Sequence, residues 1–277
     1  MTPVLLALAS AALFGGMTVA VRAGLRGGSA NAAALATILP ALAVALAAAA
    51  IRGGGGWRET WPFLLAGLLA PGLSQIFFTR SIREAGPSRT SVAVGTAPLV
   101  AVAIALVFLD EPLRLPLVLG ALLVVGGGVL LVRERDRPEH VRAVGLLFAG
   151  GATILFALRD NLVRALHGHA NPEAAAAATL LAGTLVALLA TRRLPRRDEA
   201  ARFAPAGILF GLSYLCLFEA YYRGRVSVVS PLVATESLWG VALAALLFRG
   251  TEGVGRRLVA GALLVVAGGA LIGASRY

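Results

Sequence analysis

"GALLVVGGGVLL" fills residues 120–131, and "GALLVVAGGALI" fills residues 261–272, 141 positions further on. The two stretches are close copies, and they are not alone. Leu13-Phe14 recurs as Leu155-Phe156, Val21-Arg22-Ala23 as Val163-Arg164-Ala165, and Thr37 as Thr179, all at a spacing of 142. Gly72-Leu73-Ser74 recurs as Gly211-Leu212-Ser213 at 139, and Glu111 as Glu252 at 141. The order is kept and the spacing drifts by a few residues, as it does when loops gain or lose length. The chain therefore reads as one unit written twice, over residues 1–135 and 140–277.

Composition supplies the solvent. The chain is 58% hydrophobic and 14% charged, with a mean hydropathy of +0.83. Soluble domains run at roughly 45–50% apolar and about 25% charged. Ten apolar segments, near 3–23, 29–51, 61–82, 89–109, 113–132, 143–165, 172–191, 203–222, 226–248 and 256–274, each have about the 20 residues that cross a bilayer as a helix. Lipid leaves an open strand's backbone unsatisfied, so the fold class is all-α integral membrane. The first segment reads as a span and not a cleaved leader, because it lacks a basic start and its apolar run is too long. All 25 basic residues are Arg, and the net charge of +11 reads as Arg gathered in membrane-flanking loops, with no nucleic-acid partner. The lone Cys216 excludes an intramolecular disulfide.

Five segments per copy is an odd number, so the second copy must enter the membrane from the opposite side. The reading is ten transmembrane helices as two inverted five-helix repeats. Such repeats place a binding site near the bilayer midplane, where two packings exchange access.

Individual residues carry the rest. Gly120 and Gly127, like Gly261 and Gly268, are seven apart and share a helix face, which suits close helix packing more than a hinge. Glu111 and Glu252 sit at helix starts, where a carboxylate suits the positive end. Inside the segments each ionisable group costs about 2.5–3.5 kcal/mol on insertion scales. Glu236 lies near the middle of its segment and reads as a path or proton-coupling acid, with a buried hydrogen-bonded carboxyl as the alternative. Arg159, Asp160 and Glu219 lie about a turn inside segment ends, equally suited to the path or to reaching toward the interface. Gln75, Thr79 and Arg83 form one polar face. Their counterparts Tyr214, Phe218 and Tyr222 form another, and the two read as walls of one cavity. Tyr221 and Tyr222 read instead as interfacial aromatics, and Trp239, a turn from Glu236, as sharing its face. His140, His167 and His169 fall in loops and give no metal site. No phosphate-cradling loop is present, so no nucleotide cofactor is expected.

The stretch "LFGGMTVAVRAGL" (13–25) resembles the first-helix signature of the EamA-type drug/metabolite transporters, through Phe14, Gly15 and Arg22. Met17 stands where that signature usually has Asn. "APLVAVAIALVFLDEPLRLPLVLGALLVVGGGVLL" (97–131) is similar to the family's Pro…Glu…Gly…Gly pattern through Pro98, Glu111, Gly120 and Gly127. Residues 234–272 repeat it through Glu236, Glu252, Gly261 and Gly268, with Ser237 in place of a frequent Pro. The resemblance spans nearly the whole chain. It implies a secondary transporter, not an enzyme, that exports a small amino-acid-like or amphipathic metabolite by alternating access, with protons as a candidate coupling ion. A flippase of a lipid-linked group, a passive channel and a membrane enzyme stay open as alternatives. The sequence selects no oligomeric state.

Arg counting orients the chain. Loops after segments one, three, five, seven and nine carry 17 Arg, against 7 in the other loops and the C-terminus. The Arg-rich side belongs in the cytoplasm, so both termini face outward across an inner or plasma membrane. Cysteines placed at Arg135 and Arg196 in a Cys216→Ala background are expected to resist an impermeant thiol reagent in intact cells. Labelling of both from outside would reverse the orientation.

Overall fold

The computed structural model describes residues 2–25, 30–53, 56–108, 115–132, 142–248 and 255–274. Glu111, Glu252 and His140 lie outside them. Among the described residues all regular structure is helical. The first half runs α1 (Thr2–Gly24), α2 (Ala30–Arg52), α3 (Trp57–Gly67), a wide π-type stretch (Leu68–Leu73), α4 (Ser74–Ala85), α5 (Pro87–Val94), α6 (Ala97–Phe108) and α7 (Leu115–Val132). The second half runs α8 (Ala143–Ala165), α9 (Pro172–Thr191), α10 (Arg197–Arg223), α11 (Val226–Val233), α12 (Glu236–Leu247) and α13 (Arg256–Ala274).

Local chemistry explains several ends. Pro172 opens α9, and Asn171 Oδ1 accepts the Ala174 N–H at 2.8 Å, a cap on an otherwise orphan donor. At α10 the Glu199 carboxylate reaches back to the Arg196 N–H at 2.9 Å and also holds Arg193 through two bonds of 2.7 Å. That cap starts α10 at Arg197, six residues before the expected 203.

Among the described residues six stretches are long and apolar enough to cross a membrane: Pro3–Gly24, Ala30–Arg52, Arg58–Ala85, Ala143–Ala165, Pro172–Thr191 and Arg197–Arg223. The sequence reading gave ten. In the other four expected ranges the described residues are also mostly helical, but two of these ranges are interrupted. The expected segment 89–109 divides at Gly95-Thr96 and 226–248 divides at Ala234-Thr235. The two breaks occupy matching places, 139 residues apart, and are built alike. Thr96 Oγ1 donates to the Ala93 carbonyl (2.6 Å), and Thr235 Oγ1 donates to that of Leu232 (2.7 Å). The backbone tightens to i→i−3 bonds at both, Thr96 N–H to Ala93 O and Thr235 N–H to Leu232 O. Threonines that bond the preceding turn bend a helix, and a short 3₁₀ stretch inside one marks a hinge.

Contacts between the halves come in exchanged pairs. A Cβ built on Gly127 would lie 2.6 Å from the Gly261 carbonyl oxygen, and one built on Gly268 would lie 2.5 Å from that of Gly120. Gly120 and Gly261 are counterparts, as are Gly127 and Gly268, so each contact is the other with its partners swapped. The pairing also runs backwards along α13 as it runs forwards along α7, so the two helices are antiparallel. Elsewhere Gly67 packs on the backbone of Thr179 while Gly207 packs on the carbonyl of Thr37. Gly72 packs on Val186 while Gly211 packs on Val44. Gly67 and Gly207 are 140 apart but Gly72 and Gly211 are 139 apart. The wide stretch 68–73, with Ala70 at φ −142°, ψ 121°, takes up the extra residue.

The expected packing role of the glycine pairs yields a measurement. Gly127→Leu and Gly268→Leu force the α7–α13 backbones apart, and each is expected to destabilise by about 1–3 kcal/mol, the usual cost of overpacking. The readout is melting temperature in detergent, with Gly150→Leu, a position facing open space, as the control. Equal melting of all three would remove the crossing as a determinant of the fold.

Candidate functional site

A cavity opens where the two interrupted helices meet α1, α8 and α10. Counterpart residues line it from both halves. Phe14 of α1 answers Phe156 of α8, Val94 answers Val233, and Ala97 answers Glu236. The cavity therefore lies on the axis that exchanges the halves. Ser10 and Ser213 stitch α1 to α10 beside it. Ser10 Oγ donates to the Ser213 carbonyl at 3.0 Å, and Ser213 Oγ to that of Ser10 at 2.9 Å.

The frame is two-fold, but its charged chemistry comes from one half. Arg159, Asp160, Tyr214 and Glu236 line the cavity, whereas their counterparts are Met17, Thr18, Gln75 and Ala97. Arg159 and Asp160 are 4% and 5% exposed, so neither reaches an aqueous interface. Arg159 Nε donates to Asp160 Oδ1 at 2.7 Å, and the Tyr221 hydroxyl donates to Asp160 Oδ2 at 2.7 Å. The guanidinium lies 4.8 Å from the Tyr214 ring centroid and 5.7 Å from that of Phe156, within cation–π range. Arg159 Nη1 is buried without an acceptor. Glu236, in the first turn of α12, is 5% exposed.

Several sequence expectations land elsewhere. Gln75 and Thr79 are fully buried on α4 but do not line the cavity. Thr79 Oγ1 ties α4 to α2 through the Ala30 carbonyl at 3.0 Å, and both amide atoms of Gln75 lack partners. Phe218 stacks behind Tyr214, with ring centroids 5.4 Å apart. Trp239, a turn from Glu236 on α12, does not line the cavity: it is 47% exposed, and its turn packs on Gly15 of α1. Glu219 pairs with Arg223 on the same helix, away from the cavity. Arg22 is half-buried near the end of α1, and Pro98 lines the cavity. Tyr221 is no interfacial aromatic: it is fully buried and braces Asp160. Arg89, counted above with a loop, is fully buried at the start of α5. Among the described residues no three His, Cys, Asp or Glu side chains converge on a metal position.

The breaks were the missed feature, and they had a signal. Thr96 and Thr235 stand in matching places, followed two residues on by Pro98 and Ser237. Interrupted segments at corresponding positions of two halves point to a transporter's binding site.

A helical, multi-pass membrane protein with a cavity at paired helix breaks is the class that this geometry defines. The sequence matches the EamA-like transporter family over residues 1–133 and 143–274, and the chain belongs to that family. No curated protein matches it. One solved crystal structure is similar over 98% of this chain and 98% of its own, with a TM-score of 0.74 and 21% identity, a likeness of fold alone.

Removing the carboxylate of Asp160 leaves a buried guanidinium unbalanced. Asp160→Asn is expected to destabilise by about 3–5 kcal/mol. Tyr221→Phe, which removes one hydrogen bond to a charge, is expected to cost about 1.5–3 kcal/mol. Both are read as melting temperature in detergent. Wild-type melting of Asp160→Asn would show that the pair carries no structural load.

Proposed function

We propose that this protein is a secondary transporter of the plasma membrane that exports a small metabolite by alternating access. Its ten helical segments cross the bilayer as two inverted five-segment repeats, with both termini outside. One observation carries the reading: the cavity sits on the exchange axis, at hinges that occur in both halves. Alternating access needs a fixed site between two units that can trade packings. The antiparallel α7–α13 crossing supports the inversion, because an axis along the membrane normal would leave counterpart helices parallel. The buried charges support a site for a polar or charged group, since intramembrane ionisable residues mark substrate and ion paths.

Protons are the coupling ion in this reading, and Glu236 carries them. A carboxyl can alternate between charged and neutral forms, and the other ionisable groups facing the same cavity are Arg159, Asp160 and Tyr214. The test uses proteoliposomes and a metabolite panel with an imposed pH gradient. Glu236→Gln is expected to abolish gradient-driven flux. Ala97→Trp, which fills the cavity from the opposite wall, is expected to cut flux at least tenfold while the protein melts as wild type. Gradient-driven flux unchanged in Glu236→Gln would reduce that residue to a buried structural carboxyl, and unchanged flux in Ala97→Trp would move the path elsewhere.

A further inference from the structure

Three charged side chains line the cavity, Arg159, Asp160 and Glu236, so two carboxylates face one cation. Asp160 is already satisfied, one oxygen by Arg159 Nε and the other by the Tyr221 hydroxyl, each at 2.7 Å. That pair is neutral as a unit. Glu236 has neither a hydrogen bond nor an ion pair among the described residues, and it is 5% exposed. A lone ionised carboxylate in a poorly solvated site is costly until a positive group joins it. Ionised, Glu236 leaves the wall one positive charge short, a charge that either a proton or a cationic cargo supplies. The wall also holds one buried donor too many, because Arg159 Nη1 finds no acceptor. The remaining lining is apolar or aromatic: Phe14, Phe156, Val94, Val233 and Leu217.

We infer that the cavity selects its cargo by charge: it takes a small organic monocation, an amine on an apolar body, with its ammonium on Glu236 and a neutral oxygen acceptor on Arg159 Nη1. This rests on the transport reading above and adds the cargo's chemistry to it. The Phe14 ring, which lines the cavity and carries no cation of the protein among the described residues, favours a cation as well. A carboxylate on the cargo would bring a third negative charge beside Asp160 and Glu236 and be repelled. A neutral amide would satisfy Nη1 but leave Glu236 uncompensated.

The experiment uses the full chain in nanodiscs at pH 7, where an α-amine is largely protonated. Five probes share a six-carbon body: norleucinamide (cation with acceptor), hexylamine (cation alone), norleucine (zwitterion), hexanamide (neutral acceptor) and hexanoate (anion). Binding is read by calorimetry and by the rise in melting temperature. Norleucinamide is expected to bind at least tenfold tighter than norleucine or hexanamide, hexylamine to fall between, and hexanoate to give no rise. Glu236→Gln is expected to lose at least tenfold in norleucinamide affinity. Glu236→Asp, which keeps the charge, is the check on folding and is expected to retain most of it. Norleucine or hexanoate binding as tightly as norleucinamide would overturn the inference. So would norleucinamide binding unchanged in Glu236→Gln, or no binding by any of the five. Proteoliposome flux separates this from the transport reading: charge-selective binding without flux keeps the selection and rejects transport, and flux with no charge preference does the reverse.

Discussion

The backbone contact of Gly127 with Gly261, and its exchanged twin between Gly120 and Gly268, is the constraint from which the rest follows. Lipid is as apolar as leucine, so helices gain little by hiding leucine from it, and association depends on how closely backbones can approach. A close approach built once would hold one pair of helices. Built in exchanged pairs, it brings counterpart helices together in matching ways, and it fixes α13 antiparallel to α7. Gly67 on Thr179 with Gly207 on Thr37, and Gly72 on Val186 with Gly211 on Val44, extend the same rule through the third and eighth segments. Any group on the axis then sees both halves at once, and the cavity is on that axis.

A symmetric frame does not require symmetric chemistry. Met17, Thr18 and Ala97 stand where the second half has Arg159, Asp160 and Glu236. Two guanidinium–carboxylate pairs facing each other across so small a space would demand twice the desolvation, with no added specificity. One pair, braced by Tyr221 and stacked on Tyr214, leaves half of the cavity apolar. The result is a cavity with a polar side and an apolar side.

Much of the fold was legible because it is written twice. Segment boundaries at 143–165, 172–191 and 256–274 coincide with α8, α9 and α13, since long apolar runs ending in Arg, Asn-Pro or Gly leave little choice. The wide stretch at 68–73 was visible only as a one-residue drift in spacing between Gly67/Gly207 and Gly72/Gly211. The breaks at 95–96 and 234–235 escape hydropathy, which does not sense a change from i→i−4 to i→i−3 bonding, and only the matched Thr96 and Thr235 mark them. In the site, Arg159, Asp160, Tyr214 and Glu236 stood out as polar groups inside apolar runs, and the structure brings them together. Gln75 and Thr79 stood out by the same test, but neither lines the cavity, and Thr79 bonds the neighbouring α2. Helical period tells which residues share a face, and only packing tells what that face meets. Tyr221 was misjudged because a tyrosine near a segment end looks alike whether it meets headgroups or a buried aspartate.

The one-sided chemistry also constrains how the site can work. If the two halves trade packings, Val94 and Val233 trade surroundings, and so do Phe14 and Phe156. The frame is nearly unchanged by the exchange. Arg159 and Asp160 belong to one continuous helix, α8, and keep each other as partners in either packing. Glu236 does not travel with them: it follows the break at Ala234-Thr235, where the helix tightens and can bend. The separation between the fixed pair and the hinged carboxylate is therefore the one electrostatic distance that a change of access must alter. Its counterpart hinge at Gly95-Thr96 carries Ala97 and Pro98, with no charge to move. Were both matched hinges to bend, the first would change the cavity by shape alone, and the second would move a carboxylate relative to Arg159.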